Sequence, residues 1–143
     1  MTAPRLSIII PACNEEARIG GCLRSILDQG GVADGALQVV AVPNGCRDDT
    51  AGVARGFAAD FARRGWSIDV VELATGGKLA ALNAGDDRAR ASARLYLDAD
   101  IVLGPGLLAG LLAALPPTAA ARALDAITGA QAPAAPGAAA LGA

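Results

Sequence analysis

The sequence predicts an α/β fold, a mostly parallel Rossmann-like sheet with helices on both faces. Three observations predict it. Four short apolar runs, at residues 6–11, 37–42, 67–73 and 94–97, have strand length. Between them lie segments with apolar residues at helical spacing, of lengths that suit crossovers between parallel strands. Each run also leads into polar or glycine-rich residues, the pattern of strand-to-helix turns.

The elements follow in order. "LSIIIP" is a continuous apolar run stopped by Pro11. Asn14 then stands where a helix cap belongs, with Glu15 and Glu16 in a first turn whose dipole favours anions. Ile19, Cys22, Leu23, Ile26 and Leu27 continue one helix face, so residues 15–29 read as an amphipathic helix ended by Gly30 and Gly31. "LQVVAV" is the second strand and "PNGCRDD" its turn. Asp48 or Asp49 caps a single helix with Val53, Phe57 and Phe61 on one face. "SIDVVEL" is the third strand, "ATGGK" a loop, and Leu79, Leu82 and Ala89 mark a helix running to residue 93. "RLYL" is the fourth strand. A last helix over residues 104–115 starts at a Pro105 turn and stops at Pro116 and Pro117.

Composition narrows the function. At 143 residues the chain is long enough for one domain with a real core. Hydrophobic residues are 53% of it but aromatics only 3%, so that core is aliphatic and alanine-rich. The net charge of −2 and the lack of a basic run argue against a nucleic-acid surface. Histidine is absent, which removes imidazole bases, triads and metal ligands and leaves carboxylates for that chemistry.

Cys13, Cys22 and Cys46 are odd in number and lack C-x-x-C spacing, which fits a reducing cytoplasm better than a disulfide or zinc scaffold. The apolar run before Pro11 is too short for a signal segment or membrane span. Residues 129–143 hold thirteen Ala, Gly or Pro among fifteen. The expected organisation is therefore a folded unit over 1–117 and a disordered tail over 118–143. A sheet that stops after four strands looks truncated.

In open parallel sheets, ligands bind beyond the carboxyl ends of the strands. Here those ends carry "PACNEE", "PNGCRDD", "TGGK" and "DAD", which converge on one edge. Asp98 and Asp100, with Ala99 between them, either cap the next turn or hold a cation, since like charges so close repel unless solvated or bridged. Oxygen ligands of this kind suit Mg²⁺ or Mn²⁺ completed by substrate phosphates. No G-x-G-x-x-G follows the first strand and no P-loop is present, because Leu79 follows "GGK" where Ser or Thr belongs. Lys78, the one lysine beside eleven arginines, is either a solvated first-turn residue or a point charge for phosphate.

Four segments together carry a resemblance: "IIIPACNEEARIGGCLRSIL", "VVAVPNGCRDDTAGVAR", "GGKLAALNAG" and "LYLDADI". In order and spacing they resemble the donor-binding half of family 2 glycosyltransferases, proteins of the GT-A fold. The resemblance implies that the backbone of Pro11, Ala12 and Cys13, together with Glu15, lies against a nucleotide. It implies that Asp98 sits near the ribose and the metal, and that Asp100 binds the Mn²⁺ or Mg²⁺ bridging the donor diphosphate, with Ala99 in the same segment. Lys78 and Asn83 match a segment that helps line the donor site.

There are departures. Cys13 replaces a common Tyr or His and reads as a small buried residue. Asn44 stands where a carboxylate commonly accepts a hydrogen bond from the base, and its amide also presents donors. This leaves uridine as the default base, with guanosine and thymidine open.

The function implied is transfer of a sugar from a nucleoside-diphosphate sugar, UDP-linked by default, to an acceptor hydroxyl, inverting and metal-dependent. The general base is expected beyond the end of this chain, because no acidic motif of the family follows Asp100. The alternative is a non-catalytic nucleotide-binding fragment or degenerate remnant. A nucleotidyltransferase is weaker, because its glycine-rich first turn is missing. The expected location is cytoplasmic, at the inner face of a membrane if a longer form carries anchoring helices.

Overall fold

The computed structural model describes residues 3–116 and the two-residue strand Ala140–Leu141. The tail expected over 118–143 lies outside the described residues, that strand excepted. The chain alternates β1 (Leu6–Ala12), α1 (Ile19–Leu27), β2 (Leu37–Pro43), α2 (Thr50–Arg55), α3 (Ala58–Arg63), β3 (Ser67–Val70), α4 (Lys78–Arg88), β4 (Ala93–Leu97) and α5 (Leu107–Ala114), with Ala140–Leu141 as β5. The sheet order is β3-β2-β1-β4-β5, and every neighbouring pair is parallel. The chain therefore builds outward from β1 to β3, then crosses back to lay β4 on β1's other side. The switch in direction falls between β1 and β4, and a crevice opens there at the strand ends.

β1 is central, so both of its faces are buried, which is why its sequence is continuously apolar. Leu6, Ile8, Ile10 and Ala12 join Leu37, Val39 and Ala41 on one face, under Ile19, Leu23 and Ile26 of α1, Phe61 of α3 and Leu108 of α5. Complete burial of each of those large side chains contributes roughly 1.5–3 kcal/mol. Ile9, Val40 and Val42 face the other way, against Ala81 with Leu82 and Ala84 of α4. That face is thin. It closes because residue 85 is glycine: a Cβ there would lie 2.4 Å from Cγ2 of Ile9.

Several element boundaries differ from expectation: β1 runs past Pro11 to Ala12, and the last helix is Leu107–Ala114 instead of residues 104–115. The first helix starts at Ile19 instead of residue 15, so Asn14 does not cap it and Glu15 and Glu16 are not in its first turn. Residues 14–16 spend their polar groups on the neighbouring loop, as described below. The single helix expected through Val53, Phe57 and Phe61 is two, α2 and α3, broken at Gly56, where helix propensity is low. Phe61 is fully buried and tilts against Trp66 at 6.4 Å between ring centroids.

β3 is shorter than the run to residue 73, but Leu73 still bridges Asn44. The helix expected to reach residue 93 ends at Arg88 because side chains capture the backbone beyond it. Gln38 Nε2 donates to Arg88 O, Arg90 N donates to Gln38 Oε1, and Ala91 N donates to Ser7 Oγ.

Candidate functional site

The strand ends enclose an open cleft of about 570 Å³ at the switch point. Of the ten residues singled out from the sequence, eight line it: Pro11, Ala12, Cys13, Glu15, Asn44, Lys78, Asp98 and Asp100. Ala99 does not. Its side chain turns inward and is 2% exposed in the core, from within the turn that Ile101 N closes by donating to Asp98 O. Asn83 is exposed on α4 and is not part of the lining. Gly76 and Gly77 belong to the cleft and were missed as site residues, although "GGK" was the signal for them.

The loops after β1 and β2 are stapled together. Asn14 takes a left-handed backbone, φ 55°, and its Oδ1 accepts from Arg47 N at 2.7 Å. Glu15 N donates to Thr50 Oγ1, Glu16 N to Asp48 Oδ2, and Asp49 N to Glu16 Oε1. Asp48 also accepts from the Thr50 hydroxyl and backbone N–H, and the hydroxyl holds its carboxyl below the ordinary carboxylate value. These acids and Thr50 therefore order the loops. Cys13 is exposed on the cleft wall rather than the small buried residue expected, because the staple turns the chain outward after Ala12. Cys46 Sγ lies 3.4 Å from Ala12 O and accepts from Asn14 N at 3.3 Å, which fills the space beneath.

Asn44 is the one polar lining residue that is buried. Its Nδ2 donates to Ala12 O at 3.2 Å and Val42 O at 3.1 Å, while Oδ1 accepts from Gly77 N at 2.9 Å. Both amide donors are thus consumed by strand ends. A ligand has at most the second lone pair on Oδ1. The residue clamps β1, β2 and the loop before α4, and Gly45 beside it permits a backbone approach to Gly76 that any Cβ would block.

The cleft gathers charges of both signs. Lys78 Nζ lies 3.0 Å from Asp98 Oδ1 in an ion pair, whereas Asp100 is exposed and makes no ion pair among the described residues. Glu15 Oε1 is buried without a hydrogen-bond partner. Arg18 Nε comes within 2.8 Å of it as an ion pair, out of line for a hydrogen bond. Beneath the acids, Cys22 places Sγ 3.9 Å from Asp98 O. Its thiol is pushed up to about 12, first by burial and then by the charges of Asp100 and Asp98.

Among the described residues no group of three metal-ligating side chains exists. The paired carboxylates of Asp98 and Asp100 do fit a hard divalent cation that draws its remaining oxygens from water and a phosphate ligand.

Comparison with known proteins identifies the family. The profile of glycosyl transferase family 2 matches residues 7–132. A 4,4'-diaponeurosporenoate glycosyltransferase of Staphylococcus aureus is 39% identical over 99 residues, covering 67% of this chain and 24% of that protein. The chain thus spans about a quarter of the length of the relatives it matches. The mannosyltransferase PcManGT of Pyrobaculum calidifontis, solved with GDP-Man and Mn²⁺, superposes with a TM-score of 0.70 at 27% identity, over 82% of this chain and 34% of that one. S. aureus TarS 1-349 gives 0.67 at 24% identity, over 76% and 31%, and shares the fold. With the profile spanning most of the residues that build the sheet and its cleft, the chain belongs to glycosyl transferase family 2.

Proposed function

We propose that this chain is the donor-binding part of a glycosyltransferase that moves a sugar from a nucleoside-diphosphate sugar to an acceptor hydroxyl. One observation carries the reading: the switch-point cleft sets the cation of Lys78 against the carboxylates of Asp98 and Asp100. An anionic diphosphate beside a divalent cation needs both signs of charge within one crevice. The backbone of Pro11, Ala12 and Cys13 forms the floor for the nucleoside, and Gly76 and Gly77 let the main chain come close to phosphate. Lys78 meets that phosphate as a point charge. A TarS structure holds UDP-GlcNAc and the mannosyltransferase holds GDP-Man, so a nucleotide-sugar donor suits the fold, with UDP as the default base.

Asp98 and Asp100 would hold Mn²⁺ or Mg²⁺, and the bound cation would neutralise charge on the departing nucleoside diphosphate. In an inverting reaction a carboxylate deprotonates the acceptor hydroxyl as it attacks the anomeric carbon. That base is assigned to no residue among 3–116. The chain's own share is to bind, orient and hold charge. Among the described residues no helix is long and apolar enough to cross a membrane. A cytoplasmic site of action, at the inner membrane face in a longer form, rests on the cysteine pattern.

The second reading, a non-catalytic nucleotide-binding module, is favoured by Lys78 itself, which already gives Asp98 a counter-ion. Calorimetric titration with UDP, GDP and dTDP, each with and without Mn²⁺, separates the two. The donor-binding reading expects one nucleotide to bind, more tightly with Mn²⁺, and Asp100→Ala to remove that gain. Equal binding with and without Mn²⁺ points to the second reading. A folded chain that binds none of the three refutes both.

A further inference from the structure

We infer that Lys78 competes with the divalent cation for Asp98, and that the nucleoside diphosphate relieves the competition, so that cation and nucleotide bind cooperatively. The inference rests on the donor-binding reading. Lys78 is the first residue of α4, where the positive end of the helix dipole disfavours a cation. It is nevertheless the one lysine of the chain, and its ammonium lies 3.0 Å from Asp98 Oδ1. Asp98 compensates the dipole there. Asp100, two residues on, has no such partner among the described residues. The two acids are therefore unequal: one is already met by a charge from the chain, and the other is open.

The geometry allows exchange. Gly77 N is pinned to Asn44 Oδ1, which fixes the base of the lysine, but the side chain is 63% exposed and its four-carbon stem is free to swing. A divalent cation arriving on Asp98 alone meets the ammonium a few ångströms away, and the two repel. A diphosphate in the cleft offers Lys78 new anionic oxygens. As the ammonium turns to them, Asp98 is released to the cation. By linkage the cation must then raise nucleotide affinity by the same factor that the nucleotide raises cation affinity.

The test uses the full chain as wild type, Lys78→Met and Lys78→Arg. Free Mn²⁺ is counted by its paramagnetic resonance signal, first with Mn²⁺ alone and then with UDP, GDP or dTDP present. The expected result is that Lys78→Met binds Mn²⁺ alone about threefold to fivefold more tightly than wild type, the scale of an exposed ion pair. Its nucleotide affinity falls and the coupling factor drops severalfold below wild type, to the part that direct contact between cation and diphosphate supplies, whereas Lys78→Arg keeps the charge and the coupling. Thermal unfolding checks that the exposed substitution leaves the fold intact. Mn²⁺ binding in Lys78→Met no tighter than wild type overturns the inference whether or not nucleotide binds, and so does an unchanged coupling factor. A wild type that binds no nucleotide defeats the donor-binding reading instead, while the Mn²⁺-only comparison still judges Lys78.

Discussion

The two rims of the sheet are both polar, but their polar groups behave differently. At the amino-terminal rim, Ser7 Oγ donates to Gln38 Oε1 at 2.6 Å and accepts from Ala91 N at 3.0 Å. Gln38 Nε2 donates to Asp69 Oδ2 and Arg88 O, and its Oε1 also accepts from Arg90 N. Every donor and acceptor of that glutamine is used within the protein. At the carboxyl-terminal rim, Glu15 Oε1 has no hydrogen-bond partner, Asp100 is exposed, and Lys78 is held by a single contact. A closed network stabilises. An open one, at the switch point of a parallel sheet, is left for a ligand.

That contrast breaks if the rims respond alike to substitution. The largest expected effect is on stability, at the closed rim. Gln38→Leu strands Ser7, Asp69, the Arg88 carbonyl and the Arg90 N–H, and should cost about 3 kcal/mol. Urea unfolding measures this, and nucleotide affinity of the folded variant should stay within about twofold of wild type because the site is remote. Next is Asp100→Asn at the open rim. Mn²⁺-dependent nucleotide affinity should fall about a hundredfold, or about 2.7 kcal/mol, with the urea midpoint unchanged. A large loss of stability from Asp100→Asn would mean that the aspartate is a structural cap after all.

Asn44 sharpens the comparison, because it stands at the open rim but is bonded like Gln38. Asn44→Ala releases Ala12 O, Val42 O and Gly77 N together. A cost of about 2 kcal/mol is expected, with nucleotide affinity lowered about tenfold as the Gly77–Lys78 segment loses its anchor. A variant that lost affinity at full stability would make Asn44 a ligand contact instead.

The same division decides what could be read from the sequence. Strand order of appearance, the convergence of four strand ends and eight lining residues were legible, because buried strands and polar strand ends leave local marks. The start of α1 was not. Asn14, Glu15 and Glu16 have the types and order of a capped first turn, but their partners are Arg47, Thr50, Asp48 and Asp49 from another loop. Tertiary bonds overrode local preference there. The inward side chain of Ala99 depends on the turn after β4, where Ile101 N donates to Asp98 O, and the burial of Asn44 depends on three partners from three segments. The end of α4 at Arg88 likewise depends on Gln38, fifty residues earlier in the chain.

The smallest effect concerns a thiol beneath the open rim. Cys22 is fully buried, and burial, then Asp100 and Asp98, raise its pKa from 9.0 to about 12. The native state therefore keeps this proton longer than the unfolded chain does. The associated stability is whole below pH 9 and is lost progressively as pH rises from 9 toward 12. By pH 10 the loss is about 1.4 kcal/mol. Tyr96, raised from 10.0 to about 12 by burial and then by its hydrogen bond to Asp86, adds to the slope in the same direction but begins one unit higher. Urea unfolding at pH 8, 9 and 10 on wild type and Cys22→Ala isolates the thiol, since Tyr96 is common to both. A steeper alkaline decline in wild type is expected. Parallel declines would mean that the field of Asp98 and Asp100, together with burial, does not hold the thiol neutral, and that the open rim is better solvated than its geometry implies.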